Sequence, residues 1–351
     1  MSIIKRQNPV AFKKTAWGTA VEPSTGDQIF VETNAPPAGA RELVTNVDEH
    51  GAPLETNLCL GPFEEQAGSF DGKIYVEQTK LMEIIASICG EYGFTVDTPV
   101  AGANKHAFVM KRVLTADISH TLAYDEGDEV KAVDWMKFMS FVVALDSVYK
   151  HTTSYLGSKL EVKSGYATPL AVTGDSRIAC FLQENTTVRI NEQNAAALSG
   201  SDDQLVTDYG MSLERGLQSE APVAGTNVIS NINDGLQPTF TITLNYPRKT
   251  TQNKIFLPDY QVGEIYKASI SMTSGLLYIT GTTPYQLDFF FPGLYCVEAP
   301  TYDQETPEPV SATFMVQYDS AGAASMDYKV PYAYWYNSLV TLSGYPAITE
   351  T

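Results

Sequence analysis

The sequence predicts a mainly β chain: two β-sandwich-like lobes accompanied by one outer α-helix. Three observations carry that prediction. Apolar residues alternate at period two in several segments, only one segment has clear helical periodicity, and twenty Tyr and fifteen Phe enrich the chain in residues that suit sheets. Phe240, Ile242, Leu244 and Tyr246 face one way against Thr241, Thr243 and Asn245. Val310, Ala312, Phe314, Val316 and Tyr318 do the same against Ser311, Thr313 and Gln317, and Leu160 and Val162 alternate with Lys159, Glu161 and Lys163. Such half-buried strands between Gly and Pro punctuation indicate antiparallel sheets.

Taken from the N-terminus, Trp17 to Gly68 is extended and contains Pro23, Pro36, Pro37, Pro53 and Pro62, which predicts an arm. Gly68-Ser-Phe-Asp-Gly72-Lys73-Ile74 superficially resembles a phosphate-cradling loop. Its glycines are one residue too close, and Ile74 stands where a hydroxyl should bind Mg²⁺, so it reads as a turn before a strand. Leu81, Ile84, Ile85 and Ile88 recur at one-face helical spacing, with Thr79 as N-cap and Gly90 as a left-handed stop. Ala132 to Met139 is a weaker helical candidate that runs into Val142 and Val143. Ser199 to Gly235 has loop composition, which divides the chain into a first lobe at 1–198, a linker at 199–237 and a second β-rich lobe at 238–351. No sequence identity between the lobes is strong enough to define a repeat.

Composition limits the function. The chain of 351 residues has 23 Lys+Arg against 41 Asp+Glu, a net charge of −18, which argues against gripping nucleic acid because phosphate neutralisation needs cations. It leaves room for a protein that lets DNA pass without holding it. The start has no apolar signal-like core, and Phe138 to Leu145 is too short to span a bilayer, so neither secretion nor membrane insertion is expected. Cys59, Cys89, Cys180 and Cys296 are widely separated, as suits synthesis in a reducing cytoplasm.

No catalytic, cofactor or metal site is predicted, and no enzymatic activity. His50, His106, His120 and His151 lack the spacing of a helical zinc site, and no nucleophile turn accompanies them. Asp125-Glu126-Gly127-Asp128-Glu129 lacks the order of a calcium loop and reads as a solvated hairpin tip.

The order of features resembles the tail tube (major tail) proteins of long-tailed bacteriophages. Ala16-Trp17-Gly18-Thr19-Ala20 resembles a common opening of that family, and Gly68 to Val76 looks like the strand before its outer helix, with Thr79 to Gly93 as the helix. Lys105-His106-Ala107-Phe108 resembles the short strand that follows, and Tyr155 to Val162 through Pro169-Leu170-Ala171-Val172 resembles the family's Tyr-x-Gly hairpin and next strand. Leu156 and Ser158 depart from the small polar and Cys residues frequent there. The resemblance covers roughly residues 10–190.

It implies a structural virion protein, assembled in the host cytoplasm, whose inner strands close an inter-subunit β-barrel in stacked rings that conduct DNA during ejection. Three chains per ring are expected if the second lobe is a diverged second unit, and six if it is a decoration. Tape-measure, tail terminator and distal tail proteins would be its partners, and DNA would cross the lumen unbound. The alternative is another β-rich virion, adhesion or carbohydrate-binding module with exposed aromatic platforms.

Overall fold

The computed structural model describes residues 9–37, 41–45, 58–63, 66–114, 118–220, 229–248, 253, 256, 261–299, 310–318 and 322–349. The first strands are β1 Val10–Thr15, β2 Gln28–Ile29, β3 Thr33–Ala35, β4 Arg41–Thr45, β5 Leu58–Phe63 and β6 Gln66–Lys73. Helix α1, Thr79–Cys89, precedes β7 Gly90–Thr95, β8 Asn104–Met110, β9 Ser119–Asp125, β10 Val130–Asp146, β11 Val148–Gly157 and β12 Lys159–Val162. The remainder comprises β13 Thr186–Glu192, β14 Asp208–Ser219, β15 Ile232–Tyr246, β16 Ile265–Thr280, β17 Thr283–Glu298, β18 Val310–Val316 and β19 Tyr332–Asn337. The chain is mainly β, with a large antiparallel sheet and, among the described residues, one α-helix.

One ladder runs through eight strands in the order β3-β6-β11-β10-β14-β15-β18-β17. A second layer runs β7-β8-β19-β17-β16-β13, sharing the long strand β17. The layers face each other across an apolar core. Phe141, Met211, Leu213 and Phe240 from the first meet Met110, Phe289, Phe291 and Ala333 from the second around a void of only about 20 Å³. A space that small and apolar stays dry. Strands β2-β1-β9-β10-β12 form a third, smaller ladder on the first half of β10.

The pairings repeat. In the first half of the chain β1 pairs β9, β3 pairs β6, β6 pairs β11, β9 pairs β10, β10 pairs β11, and β10 pairs β12. In the second half β13 pairs β16, β14 pairs β15, β15 pairs β18, β16 pairs β17, β17 pairs β18, and β17 pairs β19. Substituting β13, β14, β15, β16, β17, β18 and β19 for β1, β3, β6, β9, β10, β11 and β12 converts one set into the other, in the same chain order. The chain is thus two units of one topology, joined where β10 pairs β14. The second unit begins at β13, inside the stretch assigned to the first lobe.

That stretch and the linker needed correction for a local reason. The segment 199–237 contains all of β14 and the start of β15. Tyr209, Met211 and Leu213 do alternate, but Gly210, Ser212 and Glu214 between them have turn composition, because the outer face of this strand carries small polar residues. Ala132 to Met139 is part of β10, not a helix, since it is paired on both sides with β9 and β12. Gly68 to Lys73 is β6 itself; Gly68 lies against the Tyr155 ring and Gly72 against the Phe30 carbonyl, so neither has room for a Cβ. Val162 is exposed because β12 is an edge strand with one neighbour. In β15 and β18 the alternation holds: Phe240, Ile242, Leu244, Tyr246, Ala312 and Phe314 are buried. The arm contains a hairpin, β4–β5, that pairs with no other described strand, while Trp17 nearby packs on Trp135 with centroids 5.6 Å apart.

Helix α1 occupies the predicted span. Gln78 rather than Thr79 takes the N-cap position; the Asp175 carboxylate accepts from the Thr79 amide and hydroxyl instead. Gly90 terminates it at φ +94° and donates to Ala86. Only Thr79 and Glu83 escape burial, because the C-terminal segment covers the face opposite the sheets. There Tyr345 Oη donates to the Glu83 carbonyl at 3.3 Å, and Asn337 Nδ2 reaches Met82 Sδ at 3.3 Å. Gly90→Ala should destabilise the protein by at least about 1–2 kcal/mol, the cost of a left-handed backbone for an L-residue, because the added Cβ would also fall 2.6 Å from Leu114 Cδ2. A urea midpoint unchanged in that variant would show that this turn relaxes freely.

Candidate functional site

The eight-stranded ladder has one face on the core and one open. Cross-strand register places Thr33, Asp71, Thr152, Val142, Ser212, Thr241, Met315 and Tyr295 in a single row across the open face. None of the eight is buried. A parallel row holds Ala35, Ser69, Ser154, Ser140, Glu214 and Thr239. A sheet built this way is a broad surface mostly of short hydroxyl and small side chains, with Met315 and Tyr295 at the β18–β17 end. At one end Trp17, Leu156, Leu217, Ile229 and Ile232 pack together over it.

Charge on this surface is dominated by carboxylates. Asp71, Asp146, Asp208 and Glu214 stand on it beside Lys73 and Lys150, which pair directly across β6 and β11. The two ammonium groups are already neutralised. Glu32 accepts from Lys150 at 2.8 Å and lies 3.5 Å from Lys73, while Asp146 lies 2.6 Å from Lys150. Hydrogen bonding from Lys150 holds both carboxyls below their ordinary range. Burial, and then the charge of Glu32, pushes the Asp71 carboxyl up, and Thr33 Oγ1 donates to it. The sequence reading missed Ser212 and Glu214, which it placed in a linker; the alternation of Tyr209, Met211 and Leu213 was the signal available.

The titratable residues weighed from sequence are dispersed and structural. His106, His120 and His151 are fully buried, and burial pushes their imidazoles down to about 4, 3 and 3. His106 Nδ1 lies 2.8 Å from Tyr92 Oη, His120 Nε2 3.4 Å from Ser87 Oγ, and His151 Nδ1 3.1 Å from Thr153 Oγ1. His50 lies outside the described residues. Glu126 and Glu129 hold Lys131 at 2.6 and 3.2 Å at the β9–β10 turn. Asp125 is buried there and accepts from the Gly127 and Leu170 amides at 2.6 and 2.9 Å, so this carboxylate shapes the turn. Burial pushes the Cys89 thiol up to about 12, and Cys89, Cys180 and Cys296 are unbridged. Among the described residues no group of His, Cys, Asp and Glu could hold a metal ion. No described helix is long and apolar enough to cross a membrane.

No protein-family model matches this chain, and no curated protein matches it.

Proposed function

We propose that this chain is a structural virion protein that polymerises into stacked rings, the hollow tail tube through which a long-tailed bacteriophage ejects its DNA. The observation that carries this reading is the open face of the eight-stranded ladder, mostly short and hydroxylic, with the carboxylates Asp71, Asp146, Asp208 and Glu214 on β6, β10 and β14. A duplex sliding past such a wall meets carboxylates that repel it and mostly short side chains with, among the described residues, no free cation to clamp phosphate, so it moves without sticking.

The duplicated topology favours three chains per ring. Three copies supply twenty-four strands, about 115 Å measured across strands spaced 4.8 Å and roughly 150 Å of circumference once tilted by some 35–45°. The backbone diameter is then about 45–50 Å and the lumen about 35–40 Å after side chains, wide enough for B-DNA. Tape-measure, tail terminator and distal tail proteins are the partners of such a tube. Tyr149, Tyr155, Tyr209, Tyr246 and Tyr266 are buried inside the single chain, so these aromatics are not offered to subunit interfaces. The same fact weakens the adhesion alternative, since Tyr278 is the one markedly exposed aromatic among the described residues.

Negative-stain microscopy of the purified chain, with the mass of a released ring, tests the proposal. Rings or tubes of three copies are expected; a monodisperse monomer at high concentration would sink it. A charge test follows from the face itself. Thr152→Lys, Glu214→Lys and Thr239→Lys together should leave tubes intact and make them retain short duplex DNA in a salt-dependent way. Tubes that retain no more DNA than the parent would show that this face does not line the lumen.

A further inference from the structure

The first turn of helix α1 holds a lysine between two carboxyls with water kept out. Lys80 Nζ lies 2.9 Å from Asp27 Oδ1 and 3.0 Å from both oxygens of Glu83. Lys80 is 4% exposed and Asp27 9%. The Phe12 ring closes one side, its centroid 5.0 Å from the ammonium nitrogen. Both partners are fixed from the backbone. Lys80 is held by α1, and Asp27 ends a turn in which its amide donates to the Ser24 carbonyl at 3.0 Å. The Phe12 amide donates to the Asp27 carbonyl at 3.1 Å, tying that turn to β1. The far oxygen of Asp27 is separately polarised. Its Oδ2 accepts from the Ser24 amide at 2.8 Å and the Ser24 hydroxyl at 3.2 Å, and Lys13 Nζ lies 3.8 Å away.

An amine held against a carboxyl whose other oxygen takes two hydrogen bonds, with a second carboxyl on the amine, has the parts of an amide-forming site. We propose that Lys80 and Asp27 condense into an isopeptide bond, with Glu83 carrying the protons. Glu83 relays one ammonium proton to Asp27 Oδ1, which leaves a neutral amine facing a carboxylic acid. The nitrogen lone pair attacks Cγ, and negative charge collects on Oδ2 beneath the Ser24 donors. Glu83 then moves a second proton from nitrogen to Oδ1, the Cγ–Oδ1 bond breaks, and Oδ1 departs as water. The amide nitrogen keeps the third hydrogen, Glu83 ends as it began, and no oxidant or co-reactant is needed. Burial, against the pull of Lys80, pushes the Glu83 carboxyl up, which suits it to accept a proton. Lys163 shows the contrast. It also meets two carboxyls, Asp134 and Glu161, but Glu161 is open to solvent and Asp134 Oδ1 has no donor among the described residues, so that cluster stays ionic. The bond closes residues 27–80 into a covalent loop and fastens the base of the arm to α1.

Mass spectrometry of the full chain tests the bond. The purified protein should be lighter than its sequence by one water. Trypsin should yield a branched peptide joining residues 15–41 to 74–105, uncut after Lys80. Lys80→Arg and Glu83→Gln should each restore the full mass. Asp27→Asn should still condense, losing ammonia in place of water, and reach the same final mass as the parent; this variant forms the bond, so its result does not depend on a damaged fold. A parent chain at full mass overturns the proposal. A deficit of one water that survives Lys80→Arg is a dehydration elsewhere and overturns it as well. A branched peptide that forms equally in Glu83→Gln overturns the part given to Glu83. None of these readouts depends on ring assembly, so the bond and the conduit reading stand or fall separately.

Discussion

Stability should fall steeply as the pH is lowered from 6.5 towards 4, by up to about 4 kcal/mol per pH unit in the middle of that window. The cause is His106, His120 and His151, each buried and each with its pKa pushed below the ordinary imidazole value to about 4, 3 and 3. Burial is the leading cause at all three; for His120 the charges of Lys80 and Lys14 add to it. Between pH 6.5 and the folded values the unfolded chain takes up protons that the folded chain refuses. Stability is therefore complete above 6.5 and declines below it, at about 1.4 kcal/mol per pH unit for each histidine. Glu83, Asp134 and Asp288, whose carboxyls burial pushes up, act in the opposite sense and partly offset the decline lower in the range. Urea midpoints at pH 7.5, 6.5 and 5.5 measure the slope. His151→Asn should flatten it by about a third, and a profile that is level between 7.5 and 5.5 would refute the assignment.

Arg215→Met should destabilise the protein by about 3–5 kcal/mol, the range for breaking a buried charge network from one side. Arg215 lies on β14 and is 1% exposed. Its Nε donates to the Ile88 carbonyl at 2.8 Å, and its two terminal nitrogens donate to the Lys111 carbonyl at 3.1 and 2.7 Å. Asp234 lies 3.6 Å away and supplies the counter-charge. Ile88 is in the last turn of α1, where carbonyls have no partner within the helix, so a residue of the second unit closes a helix of the first. Methionine fills the volume but takes the guanidinium from the Ile88 and Lys111 carbonyls and leaves the Asp234 carboxylate with the Leu114 amide and no counter-charge. Adding Asp234→Asn removes the stranded charge and should recover part of the loss. A loss below about 1 kcal/mol in Arg215→Met would mean that water replaces the guanidinium at those carbonyls.

What the sequence determined by itself is local and one-sided. Helix α1 with its Gly90 stop, and the strands at Phe240–Tyr246 and Val310–Val316, were legible because one face is apolar, the other polar, and the period alone distinguishes helix from strand. The excess of carboxylates was likewise present in the net charge of −18, though not which face carries them. Only the tertiary structure decided the rest. Strand β14 has the composition of a loop because its outer side chains belong to a small-residue face that exists only once β10 and β15 flank it. The twofold topology leaves no trace in residue identity, since a strand pair is held by backbone hydrogen bonds and tolerates any side chains that keep the faces sorted. Arg215 reads as an ordinary cation until folding brings residue 215 to the carbonyls of 88 and 111, contacts separated by more than a hundred residues that no local window contains.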